Sequence, residues 1–156
     1  MRLVWAVAIV IFVLDQLTKV WVVHVLDLAT RLRIDVWPPL LNLRMAWNEG
    51  INFGLFAGDS EATRWILISV ALGIVLFVLV WMRRDPPGRP GLIAAGLLIG
   101  GALGNVIDRV LYGAVADFLN MSCCGIENPF AFNVADIAIF AGALGLVLFP
   151  GTKNAS

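Results

Sequence analysis

Charge is what this sequence has least of. Only 14% of its 156 residues are charged against 60% hydrophobic, and mean hydropathy is +0.90. That leaves too little polar surface to cover a soluble globule of this length, so the chain reads as an integral membrane protein. Eleven basic residues balance eleven acidic ones and are dispersed, so no basic stripe is offered to a polyanion and no nucleic-acid partner is expected. Histidine occurs once, as His24 on an apolar helix. A serine nucleophile therefore has no base in the usual sense, no HExxH serves a metalloprotease, and no His and Cys spacing builds a zinc site. Cysteine occurs twice, as neighbours Cys123 and Cys124. Adjacent Cα atoms about 3.8 Å apart fall short of ordinary disulfide geometry, so two unpaired thiols are expected.

A leader-peptide cleavage pattern is also missing. Arg2 precedes an apolar run over 3–26 that is long enough to span a bilayer and is followed by no small-residue site, so it reads as a retained first helix. Residues 65–82 form an uncharged apolar stretch, about 27 Å long at 1.5 Å per residue. Further spans are read at 91–110 and 133–149. The expected fold is mainly α: one membrane domain over 1–156, with four transmembrane helices and a small extracytoplasmic β-rich segment at about 27–64. Arg2, Arg83, Arg84, Arg89 and Lys153 flank one side, against Arg31, Arg33, Arg44 and Arg64 in the first long loop. This narrow excess puts both termini in the cytoplasm.

Within 27–64 the periodicity changes to two. Arg31, Arg33 and Asp35 alternate with Leu32, Ile34 and Val36; after Pro38-Pro39, Leu41, Leu43, Met45 and Trp47 alternate with Asn42, Arg44 and Asn48. Two amphipathic strands are expected, with one apolar face resting on lipid or on the helices. Gly50 and Gly54 bracket a segment that could close over a site, and Asp59 or Ser60 is placed to cap the next helix. In the third span Gly96, Gly100 and Gly104 recur every fourth residue, which lets a neighbouring helix approach closely.

The few polar groups inside the spans are therefore conspicuous. Asp15 and Lys19 are four apart, on one helical face. Asn105, Asp108 and Arg109 end the third span, Asp117 follows, and Asn133 and Asp136 open the fourth. Rise per residue places this set near the outer leaflet. A charge at the bilayer centre costs about 2.5–3.5 kcal/mol on insertion scales, so such residues mark function. Two carboxylates close together share one proton, leaving one as base and the other as acid, and such a pair activates water without a cofactor. Asp117 and Asp136 are the candidate catalytic pair, although spacing alone leaves open whether they meet or serve separate structural roles. A small proton-coupled transporter relaying through Asp15, Lys19, Asp108 and Asp136 is the alternative; the inner halves of the spans lack the ionisable residues it needs.

Five stretches in order, Asp15-Gln16-Leu17-Thr18-Lys19, Asn48-Glu49-Gly50-Ile51-Asn52-Phe53-Gly54, Gly104-Asn105-Val106-Ile107-Asp108-Arg109, Val115-Ala116-Asp117-Phe118 and Phe132-Asn133-Val134-Ala135-Asp136, resemble the motif series of bacterial lipoprotein signal peptidase, or signal peptidase II. The resemblance covers nearly the whole chain. It departs at Asn52, where the family often has a small apolar residue, and at Ala116, where valine is common. It implies an aspartic endopeptidase of the bacterial inner membrane, working without metal or cofactor among membrane lipids, and a monomer is expected. Its reaction removes the signal peptide from prolipoproteins ahead of a diacylglyceryl-modified cysteine. It further implies that Asp117 and Asp136 are catalytic, that Asn48, Asn105, Arg109 and Asn133 hold substrate or line its pocket, and that Asp15, Lys19 and Asp108 give polar support.

Overall fold

The computed structural model describes residues 1–50, 60–125 and 127–151. Helix α1 (Arg2–Val20) continues as a π-helical turn over Trp21–Val25. A single helical turn, α2 (Leu28–Arg31), then leads into strand β1 (Arg33–Trp37) and strand β2 (Leu41–Asn48). Helices α3 (Ser60–Arg84) and α4 (Arg89–Tyr112) follow, then strand β3 (Val115–Asn120) and helix α5 (Val134–Leu148). Among the described residues, three helices are long and apolar enough to cross a membrane: Arg2–Val25, Glu61–Arg84 and Arg89–Tyr112. The apolar α5 has 15 residues, about 22 Å of helix against a hydrocarbon core of about 30 Å.

Helix α4 is the hub, packed against α1, α3 and α5. Its glycines make this possible. A Cβ on Gly96 would lie 2.6 Å from Val7 Cβ, one on Gly100 2.5 Å from Ala8 O, and one on Gly104 2.5 Å from Asp15 Oδ2, so the every-fourth-residue stripe is the seam with α1. Gly101 meets the backbone of Ala135, and Gly142 that of Leu98, along the second seam between α4 and α5. Near-contact of backbones in this way substitutes dispersion and shape for the hydrophobic drive that lipid does not supply. Val4, Ala8, Val75, Val78, Met82, Ala95, Ile99 and Leu146 fill the space around these seams.

The three strands form an antiparallel sheet in the order β1-β2-β3. Its residues Ile34, Leu43, Met45, Phe118 and Leu119 pack with Val22, Leu26 and Leu28 in a second small core beyond the end of α1. The single apolar face expected over 32–47 is realised only in part: Leu32, Val36 and Trp47 are exposed. Register shifts between Asp35 and Trp37 and between Leu43 and Ala46 break the two-residue period. Leu32 is not in a strand at all; it closes α2 with φ 62°. The caps expected from Asp59 and Ser60, and the hinge at Gly54 with Asn52, lie outside what is described, either as residues or, for Ser60, as a side chain.

Candidate active site

Asp117 is positioned by β3, opposite Ala46 of β2. The step from Asp117 to Asp136 is made by a bridge between Leu119 and Phe132. The Leu119 N–H donates to Phe132 O at 2.8 Å and the Phe132 N–H returns to Leu119 O at 2.9 Å. Phe132 precedes Asn133, so this bridge delivers the start of α5 to the side of Asp117. The intervening loop is drawn together by the buried Asn120, whose Nδ2 donates to Asn128 O at 2.7 Å and Phe130 O at 2.8 Å. Cys123 and Cys124 lie in this loop and are disulfide-bonded to each other, not free. The expectation of two thiols missed the turn in which Cys124, at φ 61°, and Gly125, at φ 81°, turn the chain so that adjacent side chains meet.

Asn133 both caps α5 and joins the two aspartates. Its Oδ1 accepts the Asp136 N–H at 2.9 Å, while Asp136 Oδ2 accepts the Asn133 N–H at 3.3 Å, a reciprocal capping box. The Asn133 Nδ2 then donates to Asp117 Oδ1 at 2.7 Å. The second Asp117 oxygen accepts from Asn48 Nδ2 at 3.0 Å, and Asp136 Oδ1 accepts from Asn105 Nδ2 at 2.9 Å. Every oxygen of the pair thus receives an N–H, and among the described residues no hydrogen bond joins the two carboxyls directly. Burial, and after it the neighbouring charge of Asp136, push the Asp117 carboxyl up to about 6, against the lowering effect of its Asn48 and Asn133 donors.

Behind the pair lies a buried ionic bridge. Lys19 Nζ sits 2.7 Å from Asp15 Oδ2 and 2.7 Å from Asp108 Oδ2, and donates to Asn105 Oδ1 at 3.3 Å. The sequence pairs Asp15 with Lys19; the structure adds Asp108 from α4 to make one bridge. Both carboxylates also hold backbone. Asp15 Oδ1 accepts the N–H of Ala135 at 2.9 Å, and Asp108 Oδ2 accepts that of Ala116 at 3.3 Å. Ala135 precedes Asp136 and Ala116 precedes Asp117, so each supporting carboxylate grips the residue next to one member of the pair. Gln16 was missed as a site residue: its Nε2 donates to Asp15 Oδ2 at 3.2 Å and to Asp108 Oδ1 at 3.0 Å. An amide at mid-helix in an apolar segment was the available signal.

Arg109 stands one turn beyond Asn105, with Nη1 donating to Asn105 O at 3.3 Å. Its Nε is buried and has no hydrogen-bond partner among the described residues. Asp117, Asp136 and Asp108 are within its electrostatic reach. The guanidinium therefore has donors to spare beside the carboxyl pair. His24 instead lines a cavity of about 180 Å³ with Lys19, Trp47 and Tyr112, and neither Asp117 nor Asp136 borders it.

The chain matches the family described as signal peptidase (SPase) II over residues 7–150. It is 42% identical over 137 residues to a lipoprotein signal peptidase of Methylorubrum extorquens (strain PA1), covering 86% of this chain and 77% of that protein. It is 41% identical over 144 residues to one from Gloeobacter violaceus (strain ATCC 29082 / PCC 7421), covering 92% and 79%. A solved bacterial membrane enzyme has the same fold with a TM-score of 0.77 at 27% identity, over 95% of this chain and 92% of that one. A match over almost the whole length, with relatives near two-fifths identity, places this chain in the lipoprotein signal peptidase, or signal peptidase II, family of proteases.

Proposed function

We propose that this chain is an intramembrane aspartic endopeptidase that removes the signal peptide from prolipoproteins, N-terminal to the diacylglyceryl-modified cysteine. It works as a monomer without a cofactor in the bacterial inner membrane, with four spans, both termini cytoplasmic and the active site near the outer leaflet. The observation that carries the reading is the pair Asp117 and Asp136, brought to the two sides of the buried Asn133. Family membership leaves the transporter alternative without support.

In this reading the pair holds one proton, carried at rest by Asp117. Asp136 takes a proton from water as the water oxygen attacks the scissile carbonyl, and Asp117 gives its proton to the carbonyl oxygen. The resulting gem-diol collapses as Asp117 recovers a proton from one hydroxyl and Asp136 passes its own to the departing amine. Water is consumed and the pair returns to one proton. Asn105 and Arg109 orient the substrate backbone, and the low-dielectric pocket raises the value of both contacts. Cleavage of a diacylglyceryl-modified prolipoprotein by the purified protein in detergent tests the reading. The expected result is release of the signal peptide, unaffected by EDTA; intact substrate after prolonged incubation with folded protein overturns it.

The proton on Asp117 gives the pH dependence a sign. It is present below about 6 and lost above, and kcat/KM reports the free enzyme. A plot of kcat/KM against pH should therefore fall as pH rises through the region near 6. A flat profile across that region removes Asp117 as the resting proton donor. For Arg109→Ala, the loss of a charge-assisted hydrogen bond, about 1.5–3 kcal/mol, should weaken binding of a peptide inhibitor roughly 10- to 100-fold. Unchanged affinity with a lowered melting temperature would make Arg109 a structural residue.

A further inference from the structure

We infer that Lys19, which makes no hydrogen bond to Asp117 or Asp136 among the described residues, is a positioning residue that fixes the direction of the hydrogen bond reaching Asp136. The inference rests on the catalytic pair proposed above. An ammonium group carries three donors and no acceptor. All three have a partner: Asp15 Oδ2 at 2.7 Å, Asp108 Oδ2 at 2.7 Å and Asn105 Oδ1 at 3.3 Å. Because Lys19 can only donate, the oxygen of the Asn105 amide has to face it, and the nitrogen is left facing Asp136 Oδ1 at 2.9 Å. Turning the amide over would set N–H against ammonium and C=O against carboxylate, two repulsions in place of two hydrogen bonds.

The other two amides around the pair are held differently. Asn133 takes its direction from the Asp136 backbone N–H, which donates to Asn133 Oδ1 at 2.9 Å, and Asn48 from the Gly50 N–H, which donates to Asn48 Oδ1 at 3.0 Å. Their polarity is set by nearby backbone. Asn105 has no such backbone donor among the described contacts. Its oxygen accepts from Lys19, 86 residues away, and from Asn133 Nδ2 at 3.3 Å. Asn133 can donate to that oxygen but has Asp117 Oδ1 closer, at 2.7 Å, so Lys19 is the group that makes the reversed amide costly. Through it, α1 enters the chemistry of residues carried by β3 and α5.

The charged groups facing this arrangement are Asp15 and Lys19 from α1, Asp108 and Arg109 from α4, and Asp117 from β3. Replacing Lys19 alone removes a positive charge as well as a constraint on the amide, so the test uses two variants. Lys19→Gln is uncharged and can still hydrogen-bond to Asp15 or Asp108. The double variant Asp15→Asn with Lys19→Gln removes one charge of each sign and keeps an oxygen for the Ala135 N–H. The readout is an infrared titration of the carboxyl stretching band, with the contribution of the pair identified by its loss in Asp117→Asn and Asp136→Asn. This needs no turnover, and a merely structural role would change the folded fraction without moving the midpoint.

With the amide free to turn its oxygen toward a protonated Asp136, the titration midpoint of the pair should rise by roughly one unit, equivalent to about 1.4 kcal/mol, in both variants. In an Asn105→Ala background the charge-balanced double variant should produce little or no further rise. An unmoved midpoint in both variants overturns the inference. So does an equal rise with and without Asn105, which would make the effect one of charge alone. If Lys19→Gln does not fold, the double variant decides by itself. Should the wild-type protein cleave prolipoprotein while the Lys19 variants titrate like wild type, only this inference fails; should Asp117→Asn or Asp136→Asn cleave normally, the catalytic pair itself fails.

Discussion

Asp117→Asn and Asp136→Asn are each expected to reduce prolipoprotein cleavage by roughly 10³-fold or more, a loss at the upper end of what one acid–base group supplies, while leaving the protein inserted and folded. A carboxamide at either position retains one oxygen that accepts from Asn133, Asn48 or Asn105, and forfeits only the contact at the oxygen its NH2 replaces. What it cannot do is take up and release a proton at the reacting atoms. In Asp136→Asn one capping-box contact can also persist, since the new oxygen can still accept the Asn133 N–H. Thermal unfolding within a few degrees of wild type, together with loss of signal-peptide release on a gel, is the expected result. Turnover within about tenfold of wild type in either variant would dismiss the pair, since it would leave less than one catalytic group to be accounted for.

The sequence carries much of this site because its cost is visible there. Lipid penalises Asp15, Lys19, Asp108 and Asp136, so their presence in apolar helices is a signal that composition alone exposes. The Gly96, Gly100 and Gly104 stripe is legible for the same local reason, as helical spacing puts the three on one face. What could not be read depends on partners far along the chain. Val115–Asn120 contains an aspartate and an asparagine and has no clean alternation. It is a strand because β2 pairs with it along one edge and Phe132 bonds to it at Leu119. The two-residue period over 32–47 misleads because the two register shifts turn side chains over without leaving a mark in composition. The capping box was open to inspection: Asn133 and Asp136 stand three apart at the start of an apolar run. Reading it would have placed Asn133 in contact with Asp136, though not with Asp117. The grip of Asp15 on Ala135 spans 120 residues, and no local pattern encodes that.

Gly104→Ala is expected to have a large effect for a change that adds only a methyl group. Its Cβ would lie 2.5 Å from Asp15 Oδ2 and 3.2 Å from Asp15 Cγ. A carboxylate at the end of a free side chain could swing aside, but this one accepts from Lys19 at 2.7 Å, Gln16 at 3.2 Å and the Ala135 N–H at 2.9 Å. Moving it breaks a buried ion pair and releases the backbone next to Asp136. Alternatively α1 and α4 separate along the seam where Gly96 and Gly100 are also in near-contact with α1. Either response should cost about 3 kcal/mol, within the range for overpacking or for a broken buried pair. At a few degrees per kcal/mol for a chain of this size, that lowers Tm by roughly 6–12 °C. Activity should fall further than stability, by about 10²-fold at a temperature where the variant is fully folded, because a displacement near 1 Å at Asp136 is enough to misalign a reacting group. Gly73→Ala in α3 is the matched control, since a Cβ there meets nothing within 4 Å; by helix propensity it should be neutral or slightly stabilising. Equal Tm and equal kcat in the two alanine variants would mean that Asp15 is not held where these contacts place it, and that the bridge through Lys19 and Asp108 does not set the spacing of the pair.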